Sequence, residues 1–204
     1  CGAGMLWVGW YGFNGGSALG ANGNATMAVL TTHLGASAGA FAWMLVEWTR
    51  YGKPSLLGVI TGMVAGLGTI TPASGFVGPG GALAIGFIAG IVCFSATQFL
   101  KRKLHLDDSL DVSPVHGVGG VVGSLLTGIF AAVSLGGVGY SVQKSMLAQL
   151  GTQALGIGVT MIWCGLITWL LLKLLDVTLG LRVSEESESE GLDLASHGER
   201  GYSP

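Results

Sequence analysis

The sequence predicts an all-α protein, a polytopic bundle of membrane-spanning helices. Three observations lead there. Half of the 204 residues are hydrophobic and only 10% are charged, where soluble domains carry about 25% charged residues; the mean hydropathy is +0.65. The apolar residues gather in six long runs. The basic residues collect behind every second run, as they do in cytoplasmic loops of membrane proteins.

A helix that crosses the hydrocarbon core needs about 20 apolar residues. The first run, residues 2–17, falls short and is already under way at residue 1 with no starting Met. It reads as the end of a helix in a truncated chain. The second run covers residues 24–49, the third 55–71, the fourth 80–100 and the fifth 112–133. The sixth, residues 145–177, is long enough to tilt strongly or to project beyond the bilayer. The 37 glycines show no Gly-X-Y period, which excludes collagen. Many fall at small-xxx-small spacing instead: Gly35 with Gly39, Gly58 with Gly62 and Gly66, Gly86 with Gly90, Gly119 with Gly123. That spacing lets membrane helices approach closely.

Arg50 and Lys53 follow the second run, and Lys101, Arg102 and Lys103 follow the fourth. Lys173, Arg182 and Arg200 end or follow the sixth, while Lys144 is the one basic residue of the other loops. Six alternating spans put those basic sites on one side. The positive-inside rule makes that side cytoplasmic and expects a multi-pass protein of the cell (inner) membrane with its C-terminus inside. The opposite loops, NGGSALGANGN (14–24) and TPASGFVGPGG (71–81), are either tight turns or backbone lining a wet cavity. Six of the eleven acids lie beyond Arg182. The Ser/Glu stretch there is expected to be a solvated linker, and residues 191–202, which regain Leu192, Leu194 and Tyr202, could dock on something. This divides the chain into a transmembrane domain, 1–181, and a cytoplasmic tail, 182–204.

Several function classes lose support. The net charge of −2 and the absence of a basic patch argue against nucleic acid. Cys1, Cys93 and Cys164 are far apart and read as small buried hydrophobes, not a disulfide framework or a metal site. There is no GxxxxGK[ST], HExxH or GxSxG, so neither an energised pump nor a classical hydrolase is indicated, and no cofactor is expected.

The stretch LDVSPVHGVGGVVG (110–123) sets His116 and Asp111 in an apolar, glycine-rich run. An ionisable group at such depth usually faces a bundle interior or a conduction path. A neutral imidazole there can both donate to and accept from a small polar solute. The favoured reading puts His116 in a lumen, with Gly117, Gly119 and Gly120 clearing space; the other is a cap on a neighbouring helix's carbonyl. Asp111 is read first as a helix N-cap with Pro114 in the first turn, and second as a cation site. Asp107 and Asp108 read as surface charges. Phe13 and Ser17 share one face of the first run, after Trp7 and Trp10. They suit either an aromatic, hydroxylated face for a cation or an interfacial aromatic belt. Thr71 is a secondary polar position at the end of the third run. His33 has no clear partner and reads as packing, and His105 and His197 as exposed. An enzyme built on Asp111 and His116 would need a further catalytic group, and none is visible.

Five blocks carry a resemblance: GWYGFNGGSA (9–18), EWTRYGKPSLLG (47–58), GLGTITPASGFVGPGGAL (66–83), DDSLDVSPVHGVGG (107–120) and LRVSEESESEGLDLASHGERGY (181–202). Together they resemble the bacterial ammonium transporters, the ammonia channel family that includes the Rhesus proteins, over essentially the whole chain. The resemblance implies helices six to eleven of an eleven-helix protein: the second five-helix inverted repeat plus the final helix. It implies a homotrimer with one pore per subunit. By resemblance His116 is the second of two stacked pore histidines, Phe13 one of two phenylalanines gating the outer vestibule, and Ser17 the serine that helps recruit ammonium. Trp10 and Val112 match positions lining the pore. The tail, with Gly191, Leu192, Asp193, His197, Gly198 and Glu199, resembles the segment that couples subunits and meets the PII signal protein. The implied function is ammonium/ammonia transport, with an ammonium sensor as the alternative. The family's usual D-V-F-G-V-H-G reads DVSPVHG here, with Ser113 and Pro114 in place of Phe and Gly.

Overall fold

Glycines let three helices meet backbone to backbone at one crossing, and the rest of the bundle is arranged about it. The computed structural model describes residues 1–141 and 144–201. It divides into two compact units, residues 1–157 and residues 158–204. In chain order the helices are α1 (Gly2–Gly16), α2 (Gly23–Tyr51), α3 (Leu56–Ile70), α4 (Pro79–Arg102), α5 (Gly119–Phe130), α6 (Met146–Thr178) and α7 (Glu185–Glu190). A 3-10 turn, Thr71–Ala73, extends α3, and a wide π-type stretch, Ser113–Val118, leads into α5. Among the described residues, five helical stretches are long and apolar enough to cross a membrane: Gly23–Tyr51, Leu56–Ala73, Pro79–Arg102, Ser113–Phe130 and Met146–Thr178. The 15-residue α1 is not among them. The all-α membrane bundle expected from composition is what the chain forms.

The crossing is centred on α2. A Cβ on Gly39 would sit 2.5 Å from the Gly62 carbonyl oxygen and 2.8 Å from Gly66 Cα of α3. On the other flank, one on Gly90 of α4 would sit 2.6 Å from the Gly39 carbonyl oxygen. Gly66 and Gly86 likewise abut the Gly35 carbonyl. Gly119 and Gly123 repeat the device between α5 and α3, against the Thr69 hydroxyl and carbonyl. Lipid supplies little hydrophobic drive between helices, so contact at this range, with its dispersion gain, is what holds them. Gly58 departs from the expected pattern. It lies under the Glu47 carboxylate, not against a helix backbone.

Local sequence explains the helix ends. Asn22 Oδ1 accepts from Ala25 N at 3.0 Å to start α2, and Gly52, at φ 75°, stops it. Ser55 Oγ caps α3 by accepting from Gly58 N at 2.9 Å. Glu47 fastens the turn between them, accepting from Ser55 N at 2.7 Å. Pro79 stands in the first turn of α4, where its missing N–H costs nothing. The loop between α3 and α4 is covered by protein, with Ala73, Gly75 and Val77 buried. Buried side chains form one cluster of Trp43, Ala65, Cys93, Phe94 and Val115 and another of Ile70, Ala73, Val77, Ala82 and Ile85.

No described residue of α6 is buried, so Cys164, expected to be buried, is exposed, as is Cys1; Cys93 is buried as read. The Ser/Glu stretch also differs from expectation. It folds into α7, because Ser184 Oγ accepts from Ser187 N at 3.3 Å and Glu185, Glu186 and Glu188 fall in the first turn, where the helix dipole favours them.

Candidate functional site

Trp10 and Phe13 lie one turn apart on α1, which puts both rings on one face. Their centroids are 6.3 Å apart at 64°. Trp10 also meets His116, the ring planes 9° from parallel and the centroids 6.3 Å apart. The indole is fixed from a third element: Trp10 Nε1 donates to Thr71 Oγ1 at 2.8 Å, and Thr71 Oγ1 donates to the Leu67 carbonyl at 2.8 Å. Three elements thus converge on the Trp10 ring, which meets Phe13, His116 and Thr71. A groove of about 630 Å3 runs along α1 past Met5, Leu6, Gly9, Trp10 and Phe13.

Glycines make room for the imidazole, though not all the ones expected. Gly117 and Gly120 have open space where a Cβ would be, and a Cβ on Gly68 would lie 3.7 Å from His116 Nδ1. A Cβ on Gly119 would instead meet Thr69 Oγ1 of α3 at 2.8 Å. His116 itself is exposed in this chain, as is Phe13 at 63%. Ser17 ends α1 and turns its hydroxyl back, donating to the Phe13 carbonyl at 2.8 Å. Beside it a cavity of about 210 Å3 is lined by Phe13, Asn14, Ser17, Thr71 and Ser74 among others.

Asp111 is not the helix cap expected of it. Its backbone sits at φ 56°, and its carboxylate pairs with Lys101 Nζ at 2.8 Å, in the last turn of α4. The cap is Asp108, which reads from sequence as a plain surface charge. Its Oδ2 accepts from Ser113 N at 2.7 Å and its Oδ1 from Val112 N at 2.9 Å. Those bonds, the Ser113 amide first, hold the Asp108 carboxyl below the usual carboxylate range. Val112 is half exposed at the entry to the π-type stretch.

Other polar residues have partners that the sequence did not disclose. His33 has them after all: its Nδ1 is hydrogen-bonded to Tyr11 Oη at 2.7 Å, and its ring stacks on Trp7 at 5.3 Å. Asn14 is 4% exposed and donates to Thr32 Oγ1 at 2.8 Å and to Ser74 Oγ at 3.1 Å. An amide between two apolar turns of GWYGFNGG was the available signal for that contact.

The tail residues belong to the second unit. Gly191, at φ 96°, ends α7. A π-type turn, Asp193–His197, follows with Leu192, Asp193 and His197 exposed. Gly198, at φ 65°, closes it, and Glu199 N donates to the Asp193 carbonyl at 2.9 Å. Tyr202 lies outside the described residues.

Apolar helices knitted by glycine, with a histidine and a tryptophan set ring to ring, define a multi-pass helical membrane protein. Its particular kind is given by comparison: the chain belongs to the Ammonium Transporter Family, whose profile matches residues 1–202. It is similar to the ammonium transporter of Aquifex aeolicus, at 45% identity over 98% of this chain and 47% of that protein. Among solved structures it is similar to a "Sensor Amt Protein", with TM-score 0.88, 36% identity and coverage of 96% of this chain and 48% of that one. Candida albicans Mep2 matches with TM-score 0.81 and 37% identity over 91% of this chain and 42% of its own. The chain spans about half the length of the curated relatives it matches.

Proposed function

We propose that the protein carrying this chain moves ammonium-derived nitrogen across the cell (inner) membrane. NH4+ is recruited at the outer end beside Ser17 and Phe13 and loses a proton there. NH3 then passes along the face of Trp10 and hydrogen-bonds to His116, and the species regains a proton inside. Dehydrating an ion for an apolar passage costs far more than admitting a neutral molecule, which favours transfer as NH3. The observation that carries the reading is the Trp10–His116 ring pair, in a member of the Ammonium Transporter Family. Val112 lies on the same path, and Asp111 and Thr71 support it from behind. No cofactor or catalytic residue is invoked.

In this reading the protein is a homotrimer with its basic loops and tail in the cytoplasm. Residues 182–204, with Gly191 to Glu199 at their centre, form a regulatory segment read by a PII-type signal protein, and residues 1–181 form the transmembrane part. The test is ammonium uptake and current in proteoliposomes holding the full-length protein. His116→Ala is expected to abolish selective uptake; unchanged uptake and current remove His116 from the mechanism. The likeness to a protein named as a sensor favours a second reading, an ammonium sensor signalling through its tail. Deletion after Val183 separates the two: signalling lost with flux intact marks a sensor, and loss of PII-dependent inhibition alone marks a regulated transporter.

A further inference from the structure

We infer that Asp108 is the positioning residue for His116, acting through the start of the π-type turn; this rests on the reading of His116 as part of the conduction path. A helix start leaves its first backbone N–H groups without helical partners. Here each has an identified fate. Val112 N and Ser113 N donate to the two oxygens of Asp108 at 2.9 and 2.7 Å. Pro114 has no N–H. Val115 N donates to the Asp111 carbonyl at 3.0 Å. Asp108 is therefore the side chain that caps the start of this helix, and the Ser-Pro departure from the family pattern sacrifices no hydrogen bond.

The two acids of the loop divide the work. Asp111 ties the loop to α4 through Lys101. Asp108, one turn earlier, sets the residue at which the next helix begins. His116 lies within the π-type stretch, Ser113–Val118, immediately after Val115, which is 2% exposed in the core. A π-type turn closes its hydrogen bonds one residue further along than an α-turn and is rare. Gly119 and Gly123, packed on Thr69, fix the far end, and Asp108 fixes the near one. Slippage by one residue turns a helical side chain by about 100°, enough to take the imidazole off the face of Trp10.

The experiment uses the full-length protein in proteoliposomes with Asp108→Ala, Asp108→Asn, His116→Ala and the double variant D108A/H116A. Uptake kinetics are measured with hydrogen exchange over residues 112–118. D108A is expected to lower the maximal rate by roughly five- to tenfold, the factor one lost cap represents. The half-saturation concentration should stay within about twofold and exchange across the π-type turn should speed up. Asn, which keeps an acceptor in place, should restore most of the rate. Added to H116A, D108A should cost nothing further, because its effect runs through the missing ring. Independent, multiplying defects overturn the inference, as does D108A with normal rate and exchange. If D108A does not accumulate, Asp108→Glu replaces it: the extra methylene shifts the cap, so Glu should transport worse than Asn, and equal rates overturn the inference. Should H116A transport normally, the functional reading falls, while the exchange measurement still decides whether Asp108 fixes the turn.

Discussion

Trp10 and His116 face one another with 9° between their planes, and Thr71 holds the indole from behind with one 2.8 Å hydrogen bond. The pair joins the first helix of the chain to the π-type turn before the fifth, and its alignment depends on a hydroxyl contributed by the end of α3. Thr71→Val keeps the shape of the side chain and removes the acceptor. A net hydrogen bond of this kind contributes about 1 kcal/mol, so uptake by the full-length protein should fall about fivefold. Trp10→Phe, which has no N–H to place, should make the Thr71 substitution nearly silent. Both are read by radiolabelled methylammonium uptake.

The glycine crossing makes the sharpest demand on the fold. A methyl on Gly39 meets the Gly62 carbonyl and the Gly66 backbone, neither of which can rotate away as a side chain could. Gly39→Ala should therefore cost at least the 1–3 kcal/mol or so typical of overpacking. It should appear as a lowered midpoint of thermal unfolding in detergent and a smaller folded fraction in membranes.

Pro114 stands where an N–H would need a partner and has none to satisfy. Pro114→Gly, which restores the glycine of the family pattern, should lower stability by about 0.4–1 kcal/mol through the freer unfolded chain. It should leave the ammonium uptake rate unchanged. Denaturation midpoints and uptake measured on the same preparation check both halves of that expectation.

Arg182 grips Glu188 with two hydrogen bonds, from Nε at 2.6 Å and from Nη2 at 2.9 Å, and these hold the Glu188 carboxyl below its usual range. A carboxyl whose folded value is depressed contributes its stabilisation above the unfolded value, near 4.3 for Glu, and loses it as pH falls through the folded value. The tail contact should therefore persist at neutral pH and release only in acid. Chemical shifts of the Glu188 side chain should titrate below the ordinary glutamate range. Arg182→Gln should return the Glu188 titration towards that ordinary range.

Legibility followed the range of the interaction. The apolar runs lie within single segments of chain, and so do Asn22 and Ser55, whose side chains cap helices begun beside them. Asp108 was misread because it and Asp111 stand three residues apart, and only the position of Lys101 on α4 determines which of them is free to cap. His33 looked partnerless because Tyr11 and Trp7 reach it from another helix.

By itself the sequence determined that this is an all-helical membrane protein, because burial in lipid demands long apolar runs and close packing there demands small residues at regular spacing. Gly35, Gly39, Gly62, Gly66, Gly86 and Gly90 could be assigned to helix crossings on spacing alone. That α2 is the helix shared by two of those crossings, that Gly58 serves Glu47 instead, and that Trp10 is set against His116 by Thr71 were decided by the tertiary structure. Spacing specifies which face of a helix is sticky, whereas the partner, and the direction of a polar side chain beside it, depend on which other helices arrive at that face.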